Sequence, residues 1–277
     1  MSGNRIDLRF QALAAAGRKA LVPFVTAGDP ALEATVPVLH ALVSGGADVI
    51  ELGMPFSDPM ADGPAIQRAS ERALARGVGL DDVLGCVRGF RGDDGDTPIV
   101  LMGYLNPVEI RGPERFAREA AAAGVDGVLL VDLPPEEADA IRAAFDAAGL
   151  ALIALVAPTT TPQRQARMAA LAQGYLYYVS FAGVTGADRL DVDAVGEGVR
   201  GLRERARLPV AVGFGVRDAA SAKAVAAVAD GVVVGSALVD RLADAPDAAT
   251  AARRAREFAA VLRRAIDGVD GGEGAVG

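Results

Sequence analysis

Short, uninterrupted apolar runs alternate along this chain with longer stretches whose apolar positions recur every three to four residues. The first pattern is that of a strand buried on both faces, and the second is that of a helix laid over it. Runs at 20–26, 48–53, 98–104, 127–131, 151–157, 175–180, 209–214 and 231–234 predict eight strands. Helical periodicity follows them in turn at 30–44, 65–75 with 81–89, 113–123, 135–148, 162–172, 192–206, 218–228 and 248–266. Pro30 suits the first turn of its helix. Before the first strand, Ile6, Leu8, Phe10 and Leu13 mark an extra amphipathic helix at 5–16, expected to lie under a barrel floor. Eight β–α units joined mostly by short connections predict a single α/β domain, a (β/α)₈ barrel over residues 1–267, rather than an open doubly wound sheet. An internal echo agrees, because Ala47-Asp48-Val49, Val125-Asp126-Gly127 and Ala229-Asp230-Gly231 each set an Asp before a strand. The glycine-rich tail, 268–277, is expected to be disordered.

Composition narrows the partners. The hydrophobic fraction is 51% with 5% aromatics and no Trp, so Ala, Val and Leu must do the packing. A net charge of −8 argues against nucleic acid or an anionic membrane as partner. Cys86 stands alone, so no intrachain disulfide forms. Apolar runs such as 151–157 fall far short of the roughly 20 residues a spanning helix needs, and the amino terminus has no signal-peptide core. A soluble, cytoplasmic chain is expected.

In such a barrel the chemistry sits at the carboxyl ends of the strands. Lys19 and Lys223 fall before a strand and on a helix, so no lysine is placed for a Schiff base. His40 and Cys86 also fall on helices, which removes imidazole, metal and thiol chemistry and predicts no metal site. Carboxylates remain. Glu51 ends the second strand, where a charge is costly unless something uses it, and the proline-broken loop after it carries Asp62 back towards that strand end. One acid in an apolar setting and one in a polar loop can divide acid and base roles. The alternative is a paired core acid and a turn residue. Glycines ending the last two strands, in Gly213-Phe214-Gly215 and Gly235-Ser236, leave backbone N–H groups for a phosphate. The glycine-rich stretch 180–186 is long enough to close over the mouth.

The segment Glu51-Leu52-Gly53-Met54-Pro55-Phe56-Ser57-Asp58-Pro59-Met60-Ala61-Asp62-Gly63-Pro64 resembles the active-site strand and loop of the tryptophan synthase α chain family, and the likeness runs from the first strand to the last. The resemblance implies retro-aldol cleavage of indole-3-glycerol phosphate to indole and glyceraldehyde 3-phosphate, a carbon–carbon lyase reaction of tryptophan biosynthesis. It makes Glu51 and Asp62 the catalytic pair. Phe24, Met102, Leu129 and Tyr177 would border the substrate, with Thr185 placing the Asp. Gly186, Phe214, Gly215, Gly235 and Ser236 would hold the phosphate. The Gly183-Val184-Thr185-Gly186 core of the family's mobile loop is kept, whereas Phe181-Ala182 departs from more polar residues there. No cofactor is implied in this chain. A pyridoxal-phosphate-dependent β chain is implied as partner in an α₂β₂ complex, docking on Pro55, Asp58, Pro59 and Asn106. An autonomous lyase, a related phosphate-binding barrel isomerase and a non-catalytic activating subunit are the other readings.

Overall fold

The computed structural model describes residues 4–179, 192–213 and 215–268. Its elements run α1 (Arg5–Ala15), β1 (Ala20–Thr26), α2 (Leu32–Ser44), β2 (Ile50–Gly53), α3 (Pro64–Ala75), α4 (Leu80–Arg91), β3 (Ile99–Gly103), α5 (Leu105–Arg111), α6 (Pro113–Ala123) and β4 (Gly127–Leu130). Then come α7 (Ala138–Ala148), β5 (Ala151–Val156), α8 (Pro162–Leu171), β6 (Leu176–Val179), α9 (Val192–Ala206), β7 (Val210–Gly213), α10 (Ala219–Val228), β8 (Gly231–Val234), α11 (Ser236–Leu242) and α12 (Ala248–Asp267). The strands pair in parallel in chain order, and β8 closes on β1. This is the eight-stranded β/α barrel with an added amino-terminal helix.

Alternation along the strands divides the core in two. Ile50 and Leu52 pack outward with the helices, while Val49, Val100, Met102 and Leu129 fill the barrel itself. The helix α1 plugs the floor, sending Ile6, Phe10 and Leu13 into that inner cluster. Gly127 and Gly174 make room for it, since a Cβ at either would stand 2.9 Å from Ile6.

The repeated Asp before a strand is a latch. Asp48 takes the N–H of Leu21 on its carboxylate at 2.9 Å and returns its own N–H to the Leu21 carbonyl at 2.9 Å. Asp126 does the same with Ile99, and Asp230 with Val210. The sequence shows three such sites, and the structure adds a fourth: Gln173 exchanges the same two bonds with Leu152. Arginines neutralise the buried acids, Arg263 at Asp48 and Arg91 at Asp126.

Two expected helix starts are corrected, and one short helix is added. Pro30 precedes α2, which starts at Leu32 with Ala31 as its cap, so the proline is not in the first turn. α7 begins at Ala138, because residues 134–137 form a turn of their own. Asn106 lies on the short helix α5, which too few periodic positions announce in the sequence. The tail beyond Gly268 lies outside the described residues.

Candidate active site

The inward phase of β2 carries Glu51 into the barrel beside Phe24 and Val100 in the strand register. Glu51 is fully buried, yet no cation pairs with it among the described residues. Oε1 accepts a 2.6 Å hydrogen bond from the Tyr175 hydroxyl, and Oε2 meets no hydrogen-bond partner among the described residues. Burial pushes the Glu51 carboxyl up to about 8, against the smaller lowering effect of Tyr175. At neutral pH it is a protonated acid whose Oε2 is uncommitted among the described residues. Among the described residues no cation pairs with this buried carboxyl, unlike the paired core acid of the alternative reading.

Asp62 reaches the same region from the other side. Its loop is tied down where Asp62 N–H donates to Pro59 O at 3.0 Å and Gln67 Nε2 donates to Asp62 O at 2.9 Å. Tyr104 accepts the Ala61 N–H on its hydroxyl at 3.0 Å, and the same hydroxyl lies close enough to favour the ionised Asp62 carboxylate. Burial raises Asp62 to about 6 while the Tyr104 bond opposes it, so at neutral pH it is largely ionised. The two acids thus lie on opposite sides of neutrality, the separation that acid–base division needs.

A narrow cleft of only about 10 Å³ opens beside Asp62, walled by Phe24, Met102, Ile66, Tyr104 and Asp62 itself. Phe24 and Met102 both line this cleft. Leu129 is fully buried and does not line the cleft, whereas Val131, two residues on, does. Tyr177 is buried, and a Cβ at Gly213 would collide with its hydroxyl. Tyr175, Tyr104 and Ile66 escaped the sequence reading. Tyr175 was within reach of it, because it stands two residues before Tyr177 and shares that strand's inward phase.

At the far side of the mouth, Gly235 caps α11 and Ser236 begins it, both at least partly accessible. The first amides of that helix have no acceptor within it, which is the property an anion uses. Gly215 adopts φ +81°, a conformation glycine alone takes without strain. A Cβ on Gly63, next to Asp62, would lie 3.9 Å from Ser236 Oγ, so the acid-bearing loop runs beside this end. Thr185, Gly186 and Phe214 lie outside the described residues.

Of the proposed contact surface, Asp58 and Asn106 are exposed and Pro55 and Pro59 half-buried. Met60 at 88% and Ile110 at 79% add large exposed apolar side chains. Met54 is buried, and a Cβ on Gly103 would touch it. His40 packs on Phe90 with ring centroids 4.7 Å apart, as a packing histidine would. No cluster of three metal-ligating side chains occurs among the described residues, and no described helix is long and apolar enough to cross a membrane.

Residues 10–267 match the family model described as tryptophan synthase alpha chain. The tryptophan synthase alpha chain of Xylella fastidiosa strain M12 is 67% identical over 266 residues, covering 96% of this chain and 99% of that protein. That of Xanthomonas oryzae pv. oryzae strain MAFF 311018 is 66% identical over 265 residues, covering 95% and 99%. Among solved structures, tryptophan synthase subunit alpha from Legionella pneumophila superposes with a TM-score of 0.90 at 46% identity, covering 96% of this chain and 100% of that one. A chain of tryptophan synthase from M. tuberculosis in its aminoacrylate-bound form gives 0.85 at 37% identity, covering 95% and 100%. With barrel, acid pair and helix-capped mouth in place, these matches show that the chain belongs to the tryptophan synthase alpha chain family.

Proposed function

We propose that this chain cleaves indole-3-glycerol phosphate to indole and glyceraldehyde 3-phosphate in tryptophan synthesis, with Glu51 and Asp62 as its catalytic residues. The observation that carries the assignment is Glu51, a fully buried acid inside the barrel that has no cation and one oxygen without a partner among the described residues. The bond from indole C3 to the glycerol carbon breaks only if C3 gains a proton and the neighbouring hydroxyl loses one. Glu51 gives its proton to C3, and the carboxylate so formed takes the hydroxyl proton as the aldehyde forms. One group therefore ends the cycle as it began. Asp62, ionised, accepts the indole N–H and stabilises the positive charge that grows on the ring during protonation. Phe24 and Met102 hold the flat ring between them. Gly215, Gly235 and Ser236 offer amides to the phosphate, with Phe214 and Gly186 joining them and Thr185 bracing Asp62.

Residues 1–267 act as one barrel domain on this reading, with no metal and no cofactor of their own. The partner is a β chain carrying pyridoxal phosphate in an α₂β₂ complex, seated on Pro55, Asp58, Pro59 and Asn106. The exposed Met60 and Ile110 support a docking face there. Incubation with indole-3-glycerol phosphate, with and without the β chain, tests the reading by following both products. Wild type should release indole and glyceraldehyde 3-phosphate in equal amounts, and Glu51→Gln should bind substrate with almost no turnover. Retention of more than about a tenth of wild-type turnover by Glu51→Gln would overturn the catalytic assignment.

A further inference from the structure

At the end of the barrel opposite Glu51 lies a second hollow, about 510 Å³ in volume, between α1, the start of β1 and the turn joining α9 to β7. Its size is that of a site for a small organic molecule. Four of its lining residues are cations, Arg18, Lys19, Arg203 and Arg207, and one is an acid, Asp230. The chain as a whole carries −8, so this pocket has the opposite sign to the molecule around it.

The pairing inside it is incomplete. Asp230 is held by Arg203, with Nε at 3.0 Å, and by Lys19 Nζ at 3.9 Å, and it also accepts the Val210 N–H. One carboxylate therefore serves two cations and a latch. Arg18 pairs with Asp267 at 3.2 Å. Arg207 is exposed, takes φ 51°, and has no ion-pair partner among the described residues. The rest of the hollow is apolar, formed by Phe10 and Leu13 of α1 with Leu208 and Pro209. Guanidinium forks beside an apolar wall match a ligand with an oxyanion at one end and an apolar body at the other.

We propose that this floor hollow binds a small organic anion, a carboxylate or phosphate on an apolar, ring-sized body. The oxyanion pairs with Arg207 and Lys19, and the body rests on Phe10 and Leu13. Phe10 is also a point of contact with the interior. Its ring packs 5.5 Å from that of Tyr175, which donates to Glu51, so a bound molecule is three contacts from that acid. The site itself does not depend on the cleavage reading.

The test is a titration of the isotopically labelled full chain with benzoate, phenyl phosphate and inorganic phosphate, followed by NMR. Amides near Phe10, Lys19 and Arg207 should shift with one or both ring-bearing anions. The benzoate and phenyl phosphate arms identify the headgroup, and inorganic phosphate should bind at least tenfold more weakly at this end. Arg207→Glu should weaken binding tenfold or more, and Lys19→Gln several-fold, while both chains melt like wild type and keep wild-type cleavage without added anion. Shifts confined to the mouth around Gly215 and Ser236, or unchanged affinity in both variants, would overturn the proposal.

Discussion

The buried carboxyl of Glu51 costs stability, and the cost can be measured. Its carboxyl titrates near 8 when folded and near its ordinary 4.5 when unfolded. Between those values the unfolded chain sheds a proton that the folded chain keeps, so rising pH favours unfolding through this window and the penalty is complete above it. Glu51→Gln removes the penalty. Its stability gain over wild type should grow from pH 4.5 to 8 and reach on the order of 3 kcal/mol at pH 7, read from denaturant melts across pH. A gain that did not change with pH would mean that Glu51 is not the buried neutral acid described. Cleavage should follow a bell with limbs near 6, where Asp62 gains a proton, and near 8, where Glu51 loses one. Tyr175→Phe deletes the hydrogen bond that lowers Glu51, so the alkaline limb should move upward while the acid limb stays. Both acids were legible in the sequence because a strand-end Glu and a Pro-rich loop stand out in one dimension. Tyr175 and Tyr104 were not, since what marks them is the partner each meets across the barrel.

Among the elements, the strand bounds were nearly all readable, with β1 and β8 matching residue for residue. Continuous burial on both faces leaves an apolar run that polar turns cut off sharply. The short helices were harder: α5 spans one and a half to two turns, too few for periodicity to declare itself. Packing between neighbouring strands was also hidden. β6 and β7 pair Val179 with Gly213, and the missing side chain of that glycine is what lets Tyr177 lie across β7. Gly213→Ala should therefore destabilise the barrel by about 1–3 kcal/mol and depress cleavage. Combining it with Tyr177→Leu should recover much of the stability but not the activity. A Gly213→Ala chain that melts like wild type would show that β7 yields freely at this point. On the phosphate side, Gly235→Asp places a negative charge at the start of α11. Ordinary contacts of 3.5 Å or more await its Cβ, so the fold should hold while KM for the phosphorylated substrate rises at least tenfold.

For the whole molecule, the loop proposed to dock the partner and the loop that carries Asp62 are one segment. Phe56 stacks on Tyr104 with ring centroids 4.9 Å apart, and Tyr104 in turn holds Ala61 and Asp62. A β chain that fixes residues 55–59 would also fix the acid, so its binding should raise cleavage turnover as well as affinity. Phe56→Ala should leave basal cleavage within a few-fold of wild type and abolish most of the partner's activation, while docking persists. Equal activation of both chains would exclude the stack as the link.

The four reciprocal latches also divide the barrel, for each joins β1 to β2, β3 to β4, β5 to β6 or β7 to β8, and none joins the strands between those pairs. The molecule can thus be taken apart along seams, as four two-stranded quarters meeting edge to edge. New chain ends should be tolerated at a seam and resisted inside a quarter. A circular permutant opened at Gly95, in the exposed turn before β3, should fold and melt cooperatively, whereas one opened between Ala47 and Asp48 should lose several degrees of thermal stability through its broken latch.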